Sequence, residues 1–227
     1  MTLVIVLVCL ATAVVAYLFG SISSAIIFTK LFSNKDIREM GSGNAGFTNV
    51  LRSVGAVPAV LTLLLDFFKG VIAGFVGRFV FSLLDVSAEL SPELIIYGGF
   101  IGGVFAIIGH MYPIYFNFKG GKGIVTAAAL MAVTDWRVFL LIVATFLILF
   151  FSTKIISLAS ITCAALYGVY TFVISFFFEY KTGEFPLRFV ILTTLLSFLL
   201  GAFVIVKHKE NIKRLLKGEE KKITVKK

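Results

Sequence analysis

Charge, cysteine and histidine are all scarce in this chain of 227 residues. Asp, Glu, Lys and Arg make up 15% of it and hydrophobic residues 59%, whereas charged residues are about 25% of a soluble domain. Water cannot be the main solvent of such a chain. The two cysteines, Cys9 and Cys163, both fall inside apolar stretches with no base nearby, which fits small buried thiols and excludes a cysteine nucleophile. There is no CxxC, no HExxH and no carboxylate cluster, so neither a metal nor another cofactor is expected. No internal repeat is evident, and the only strongly polar segment is the tail 207–227, so residues 1–227 read as a single polytopic domain with a short basic tail.

What the chain does have is long apolar runs. Seven stand out: Leu3 to Phe28, Val57 to Leu84, Leu94 to Met111, Gly123 to Thr134, Val138 to Phe151, Ile155 to Phe178 and Phe189 to Val206. Most approach the ~20 residues that a helix needs to cross the hydrocarbon core. The fourth would be only about 18 Å long as a helix, a short span or a re-entrant element, and is counted as a span. The expected fold class is therefore an all-α integral membrane protein with about seven transmembrane helices.

No Lys or Arg precedes the first run, so it lacks the basic start of a cleaved signal peptide and is expected to persist as an anchor. Lys30, Lys35 and Arg38 follow it directly, which places the N-terminus outside by the positive-inside rule. Alternating the seven spans from there puts sixteen of the 21 Lys and Arg on inner segments, nine of them in the tail. The outer segments receive Arg78, Arg137, Lys181 and Arg188 against six acids: Asp85, Glu89, Glu93, Asp135, Glu179 and Glu184. The C-terminus is thus expected in the cytoplasm. Dropping the fourth run would put Lys154 outside and undo the asymmetry.

Two inner loops carry groups suited to phosphate. Residues 41–52 read GSGNAGFTNVLR, with three glycines, two hydroxyl or amide pairs (Ser42 and Thr48, Asn44 and Asn49) and Arg52. Glycines such as Gly41 and Gly43 let backbone amides approach an anion, and Arg grips phosphate in a bidentate fork. The run matches GxGxxG but follows a membrane helix rather than a strand, so dinucleotide binding is improbable. Phe47 stands where a P-loop needs lysine, which rejects a P-loop NTPase. The second loop runs from Gly109-His110 through Lys119-Gly120-Gly121-Lys122-Gly123 into an apolar helix, so two cations and flexible glycines coincide with a helix N-terminus.

Two further places hold polar groups. Asp66 and Lys69 lie three residues apart within the second span, where ionisable groups point to function or to mutual neutralisation. In the tail, His208, Asn211 and either Arg214 or Leu215 would share one face if the last helix continues. Lys213, Lys217, Lys221 and Lys222 are suited to anionic lipid headgroups.

The runs GSGNAGFTNVLR (41–52), Gly109-His-Met-Tyr-Pro113 through Lys119-Gly-Gly-Lys-Gly123 to Thr126, and His208-x-x-Asn-Ile-x-Arg-Leu-x-x-Gly-x-Glu220 resemble the three signature motifs of the bacterial acyl-phosphate:glycerol-3-phosphate acyltransferases. The resemblance covers the whole chain in order, with Asp66-x-x-Lys-Gly70 between the first two motifs. It implies transfer of a fatty acyl group from acyl phosphate to the 1-hydroxyl of glycerol 3-phosphate, giving lysophosphatidic acid and phosphate, the first acylation of phospholipid synthesis. It further implies residence in the bacterial cytoplasmic (inner) membrane with the site facing the cytoplasm.

By the same resemblance Ser42 and Arg52, with Ser157, hold the phosphate of the donor, while Lys119, His208 and Asn211 contact glycerol phosphate or the reacting centre. Gly41, Gly43, Asn44, Thr48, Asn49, Lys69, His110, Gly120, Gly121, Lys122, Gly123 and Arg214 complete the expected phosphate-binding set. The partners expected are the two substrates and the bilayer; no nucleic acid is expected. An HxxxxD acyltransferase mechanism is unavailable, since Tyr115 and Lys213 occupy the fifth position after the two histidines. A small transporter of phosphorylated metabolites is the competing class, but the repeated halves and paired broken helices common there are not evident.

Overall fold

The computed structural model describes residues 2–84 and 92–223. Asp85 and Glu89 among the expected outer acids, and Lys226 and Lys227 of the basic tail, lie outside the described residues. Two compact units divide the chain, residues 1–134 and 135–227.

Among the described residues the regular structure is helical throughout. Six segments are long and apolar enough to cross a membrane: Leu3–Ser33, Ala56–Leu84, Glu93–Phe116, Trp136–Thr153, Ile156–Tyr180 and Leu187–Lys207. Their exposed faces carry Leu7, Leu10, Phe68, Phe75, Leu195 and Leu199, while Ser24, Thr62, Asp66, Lys69 and Ser197 are buried. That is apolar outside and polar inside, the arrangement expected where lipid is the solvent. The fourth apolar run forms a helix of only 11 residues, Ile124–Thr134, about 16 Å at 1.5 Å per residue.

In the first unit, α1 (Thr2–Gly20) and α2 (Ser24–Ser33) replace the single expected first span. Gly20, Ser21 and Ser23 interrupt it: Ser21 turns its hydroxyl back onto the Tyr17 carbonyl at 2.8 Å, and such back-bonding bends helices. A short α3 (Phe47–Ser53) precedes the long α4 (Ala56–Leu84), which packs along α5 (Glu93–Met111). Their seam is made of small residues. A Cβ on Gly77 would overlap the Gly98 carbonyl, and one on Gly102 the Ala73 carbonyl, so the two backbones touch as they do in close-packed membrane helices. Then α6 (Ile124–Thr134) lies against α4 and α5, with Leu130 filling the space left by Gly103. Arg78 donates to the Val133 carbonyl at 2.6 Å near the C-terminal end of α6, satisfying one of its last acceptors.

In the second unit, α7 (Trp136–Thr153), α8 (Ile156–Ser175) and α9 (Leu187–Lys207) pack in sequence, followed by α10 (Lys209–Leu216). Asp135 caps α7 through the Arg137 amide at 2.8 Å, and the Arg137 guanidinium bridges Asp135 and Glu179, 2.7 Å from each. This tie joins the start of α7 to the π-helical turn Phe176–Tyr180 that ends α8. Thr171 and Ser197 hydrogen bond across α8 and α9 at 3.0 Å.

Candidate active site

The first polar loop is built around Asn49. Its side chain is buried, donates to the carbonyls of Met40 at 2.9 Å, Asn44 at 3.0 Å and Ile37 at 3.2 Å, and accepts from the Ser42 amide at 3.0 Å. An amide with two N–H groups spread over three carbonyls has no donor to spare. Asn49, expected among the phosphate ligands, therefore shapes the loop. Gly41 is required beside it: its φ is +56° and a Cβ would overlap the Asn49 oxygen. Ile37, Ala45 and Val50 anchor the loop in an apolar cluster with Ala25, Ile26 and Ala59, which leaves Ser42 and Arg52 exposed.

Arg38, which the sequence reading took only as a topology marker, ties this loop to the next. It grips Asp36 in a fork, Nε to Oδ1 at 3.0 Å and Nη2 to Oδ2 at 2.6 Å, and reaches the Phe116 carbonyl through Nη1 at 2.8 Å. The Arg38 hydrogen bonds hold the Asp36 carboxyl below the usual carboxylate range.

Between Pro113 and Lys119 the second loop turns sharply. Asn117 and Phe118 are both left-handed, at φ 56° and 58°, and a phenylalanine in that region costs about 1–2 kcal/mol. The turn leaves Lys119 exposed and Lys122 half-buried, and Gly123 leads directly into α6 as the sequence reading expects. The Gly121 amide donates to the His110 carbonyl at 3.1 Å. A Cβ on Gly121 would overlap His110 Nε2 and come within 2.7 Å of the Ala45 carbonyl. The two phosphate-suited loops therefore meet at Gly121 and Ala45. Gly120 is equally confined, its Cβ position overlapping the His110 carbonyl. Gly120→Ala should displace Lys119 and Lys122 together and lower the activity that the motifs imply by roughly a hundredfold, measured as kcat/KM; full activity would show that the close approach is not needed.

Lys69 and His110 are both buried in the first unit. Lys69 is 6% exposed, and its ammonium lies 2.8 Å from Asp66 Oδ1, 2.9 Å from the Ile22 carbonyl and 3.0 Å from His110 Nδ1. Three partners occupy the three donors of an ammonium, so Lys69 is committed inside the helix bundle. His110 is buried at the end of α5 and faces Lys69 with one ring nitrogen and Gly121 with the other.

The second unit carries its own polar cluster, centred on Glu220, the residue that closes the third motif and to which the sequence reading gave no role. The side chain of Glu220 is 6% exposed and accepts from Ser157 Oγ at 2.8 Å, Asn211 Nδ2 at 2.8 Å and Arg214 Nε at 2.6 Å. Burial acts to raise its pKa, but these three donors more than offset this and hold the carboxyl below its ordinary value. Ser157, expected on the donor's phosphate, gives its single proton to Glu220 instead. The Ile223 amide donates to the Lys154 carbonyl at 2.8 Å, strapping the same segment to the turn between α7 and α8.

His208 does not continue α9. It forms the break before α10, is buried, and has Nδ1 2.8 Å from the Val204 carbonyl. A carbonyl only accepts, so Nδ1 carries hydrogen and the neutral ring keeps its lone pair on Nε2. Among the described residues, no three His, Cys, Asp or Glu side chains converge as a metal site would require.

The ordered loops have counterparts in known proteins. The sequence profile of the glycerol-3-phosphate acyltransferase family matches residues 10–218. The chain belongs to that family. It is 38% identical to the glycerol-3-phosphate acyltransferase of Macrococcus caseolyticus, over 94% of this chain and 96% of the relative. It is 39% identical to that of Shewanella loihica, over 96% and 94%. A crystal structure of PlsY (YgiH), described as an integral membrane glycerol 3-phosphate acyltransferase in its glycerol 3-phosphate form, superposes with a TM-score of 0.73 at 33% identity, covering 95% of this chain and 96% of that one. The lysophosphatidic acid form of the same enzyme gives 0.69 at 32% identity, covering 95% of both chains. Within this acyltransferase Ser42, Arg52 and Lys119 are exposed on the first unit's loops, while His208 and Asn211 are buried in the second.

Proposed function

We propose that this chain is an integral membrane enzyme that transfers a fatty acyl group from acyl phosphate to the 1-hydroxyl of glycerol 3-phosphate, with its N-terminus outside, its C-terminus in the cytoplasm of a bacterial cell and its site on the cytoplasmic face. The observation that carries the reading is the meeting of two phosphate-suited loops at Gly121 and Ala45, in a chain whose family acts on glycerol 3-phosphate. Both substrates are anions. Bringing them together is the main task, and cations offset their repulsion.

The attacking hydroxyl oxygen bonds to the acyl carbon, the bond from that carbon to the phosphate oxygen breaks, and the departing phosphate takes the hydroxyl proton. Acyl phosphate is already activated and its leaving group is a stable anion, so no protein nucleophile is needed. Ser42 and Arg52 hold one phosphate, and Lys119 and Lys122 supply charge at the N-terminus of α6. A phosphate oxygen of the donor accepts the proton, and within the second unit His208 and Asn211 are the buried polar groups suited to a hydroxyl of glycerol 3-phosphate. Ser157 and Arg214 act through Glu220, by holding Asn211 in place.

The test is to give the purified protein labelled glycerol 3-phosphate with acyl phosphate, acyl-CoA or acyl carrier protein in turn. Lysophosphatidic acid is expected with acyl phosphate alone. Equal product from a thioester would overturn the donor assignment.

A further inference from the structure

Buried in the first unit, Asp66 and Lys69 tie α4 to three other places: the break between α1 and α2, the end of α5 and the start of α6. Ser24, at the start of α2, donates to Asp66 Oδ1 at 2.5 Å. Lys69 reaches the Ile22 carbonyl, inside the break between α1 and α2, at 2.9 Å. His110, in the last turn of α5, sits 3.0 Å from the Lys69 ammonium and 3.4 Å from Asp66 Oδ1. Thr126, in the first turn of α6, donates to the Asp66 carbonyl at 3.2 Å. Every one of these contacts lies at a place where a helix begins, ends or is interrupted.

We propose that Lys69, held by Asp66, is a positioning residue for acyl transfer: it fixes His110 as the neutral tautomer with hydrogen on Nε2, and through His110 sets the path of the Gly120–Gly121 segment that carries Lys119 and Lys122. An ammonium has donors and no acceptor. Its approach to Nδ1 at 3.0 Å requires the lone pair there, so the ring hydrogen is on Nε2, the atom that faces Gly121. Without Lys69, Nδ1 would take the hydrogen and donate to Asp66, and Nε2 would turn a lone pair toward the segment instead. The His110 carbonyl also receives the Gly121 amide at 3.1 Å, so the residue grips that segment at two points.

A purely stabilising role would not need charges. Replacing a buried ion pair by well-packed apolar side chains is often neutral or favourable, whereas removing one partner strands the other. The double variant Asp66→Leu/Lys69→Met removes both charges at once and separates stability from positioning.

The role in transfer rests on the function proposed above, while the tautomer can be read on the unliganded protein. The experiment uses full-length protein in lipid nanodiscs, with imidazole-labelled histidine followed by nitrogen NMR and with acyl transfer measured in parallel. In the wild type, His110 is expected with hydrogen on Nε2; hydrogen on Nδ1 alone, or on both nitrogens at neutral pH, would overturn the proposal whatever the variants do. In Lys69→Met, where Asp66 remains as acceptor, Nδ1 is expected to gain the hydrogen, and in both variants kcat/KM for glycerol 3-phosphate is expected to fall roughly ten- to a hundredfold while the double variant keeps its melting temperature. A Lys69→Met protein with His110 unchanged, or a double variant of near wild-type activity, would also overturn it. Wild-type protein that transfers no acyl group would sink the proposed function and leave the tautomer result standing.

Discussion

Arg52→Ala is expected to lower kcat/KM for acyl transfer by roughly a thousandfold or more, with little change in melting temperature. The size follows from what one positioned donor is worth to a developing anion, about 2.7–4 kcal/mol in a water-poor site. The specificity follows from placement. Arg52 lies in the last turn of α3 with its side chain exposed, while the loop's own integrity depends on buried Asn49, Val50 and Ala45. Exposed substitutions usually change stability by less than about 0.5 kcal/mol, so folding and catalysis separate cleanly at this residue. Arg52→Lys should recover only part of the loss, because an ammonium keeps the charge and loses the two-pronged grip. A purified Arg52→Ala protein within tenfold of wild type would sink the assignment of Arg52 to phosphate.

The apolar runs, the two phosphate-suited loops and the start of α6 after Gly123 were all legible in the sequence because each depends on local chemistry. Run length and the absence of charge report the solvent. Clustered glycine, hydroxyl and cation report an anion. The break between α1 and α2 escaped notice because Gly20, Ser21 and Ser23 are tolerated within apolar helices, and what stabilises the break is Lys69, 47 residues away from Ile22. Asn49 and Ser42 looked alike as polar loop residues. Only the fold shows that the first faces inward onto three carbonyls and the second outward. Glu220 was the hardest to see, since a carboxylate in a phosphate-binding chain appears to carry the wrong sign. Asn211 and Arg214 share the third motif with it, but Ser157 lies 63 residues away, and no spacing within the tail announces that partner.

That sign gives Glu220 the second large effect. In Glu220→Ala, Ser157, Asn211 and Arg214 lose a common acceptor in one step. A buried donor left unpaired costs about 1–3 kcal/mol, so a fall in melting temperature is expected together with loss of transfer, as Asn211 and the strap from Ile223 to Lys154 are released. Glu220→Gln, with one neutral acceptor oxygen, should lie between. The dependence on pH separates this from a simple packing defect. Because the folded carboxyl titrates below its ordinary value, the stabilisation from its charge is fully present above the unfolded pKa and is lost as pH falls through the folded one. The stability gap between wild type and Glu220→Gln should therefore hold steady from about pH 8 to pH 5 and narrow below about pH 4, measured by chemical or thermal unfolding in detergent. A gap that stays constant into acid would mean that charge plays no part, and that the three donors are held by shape alone.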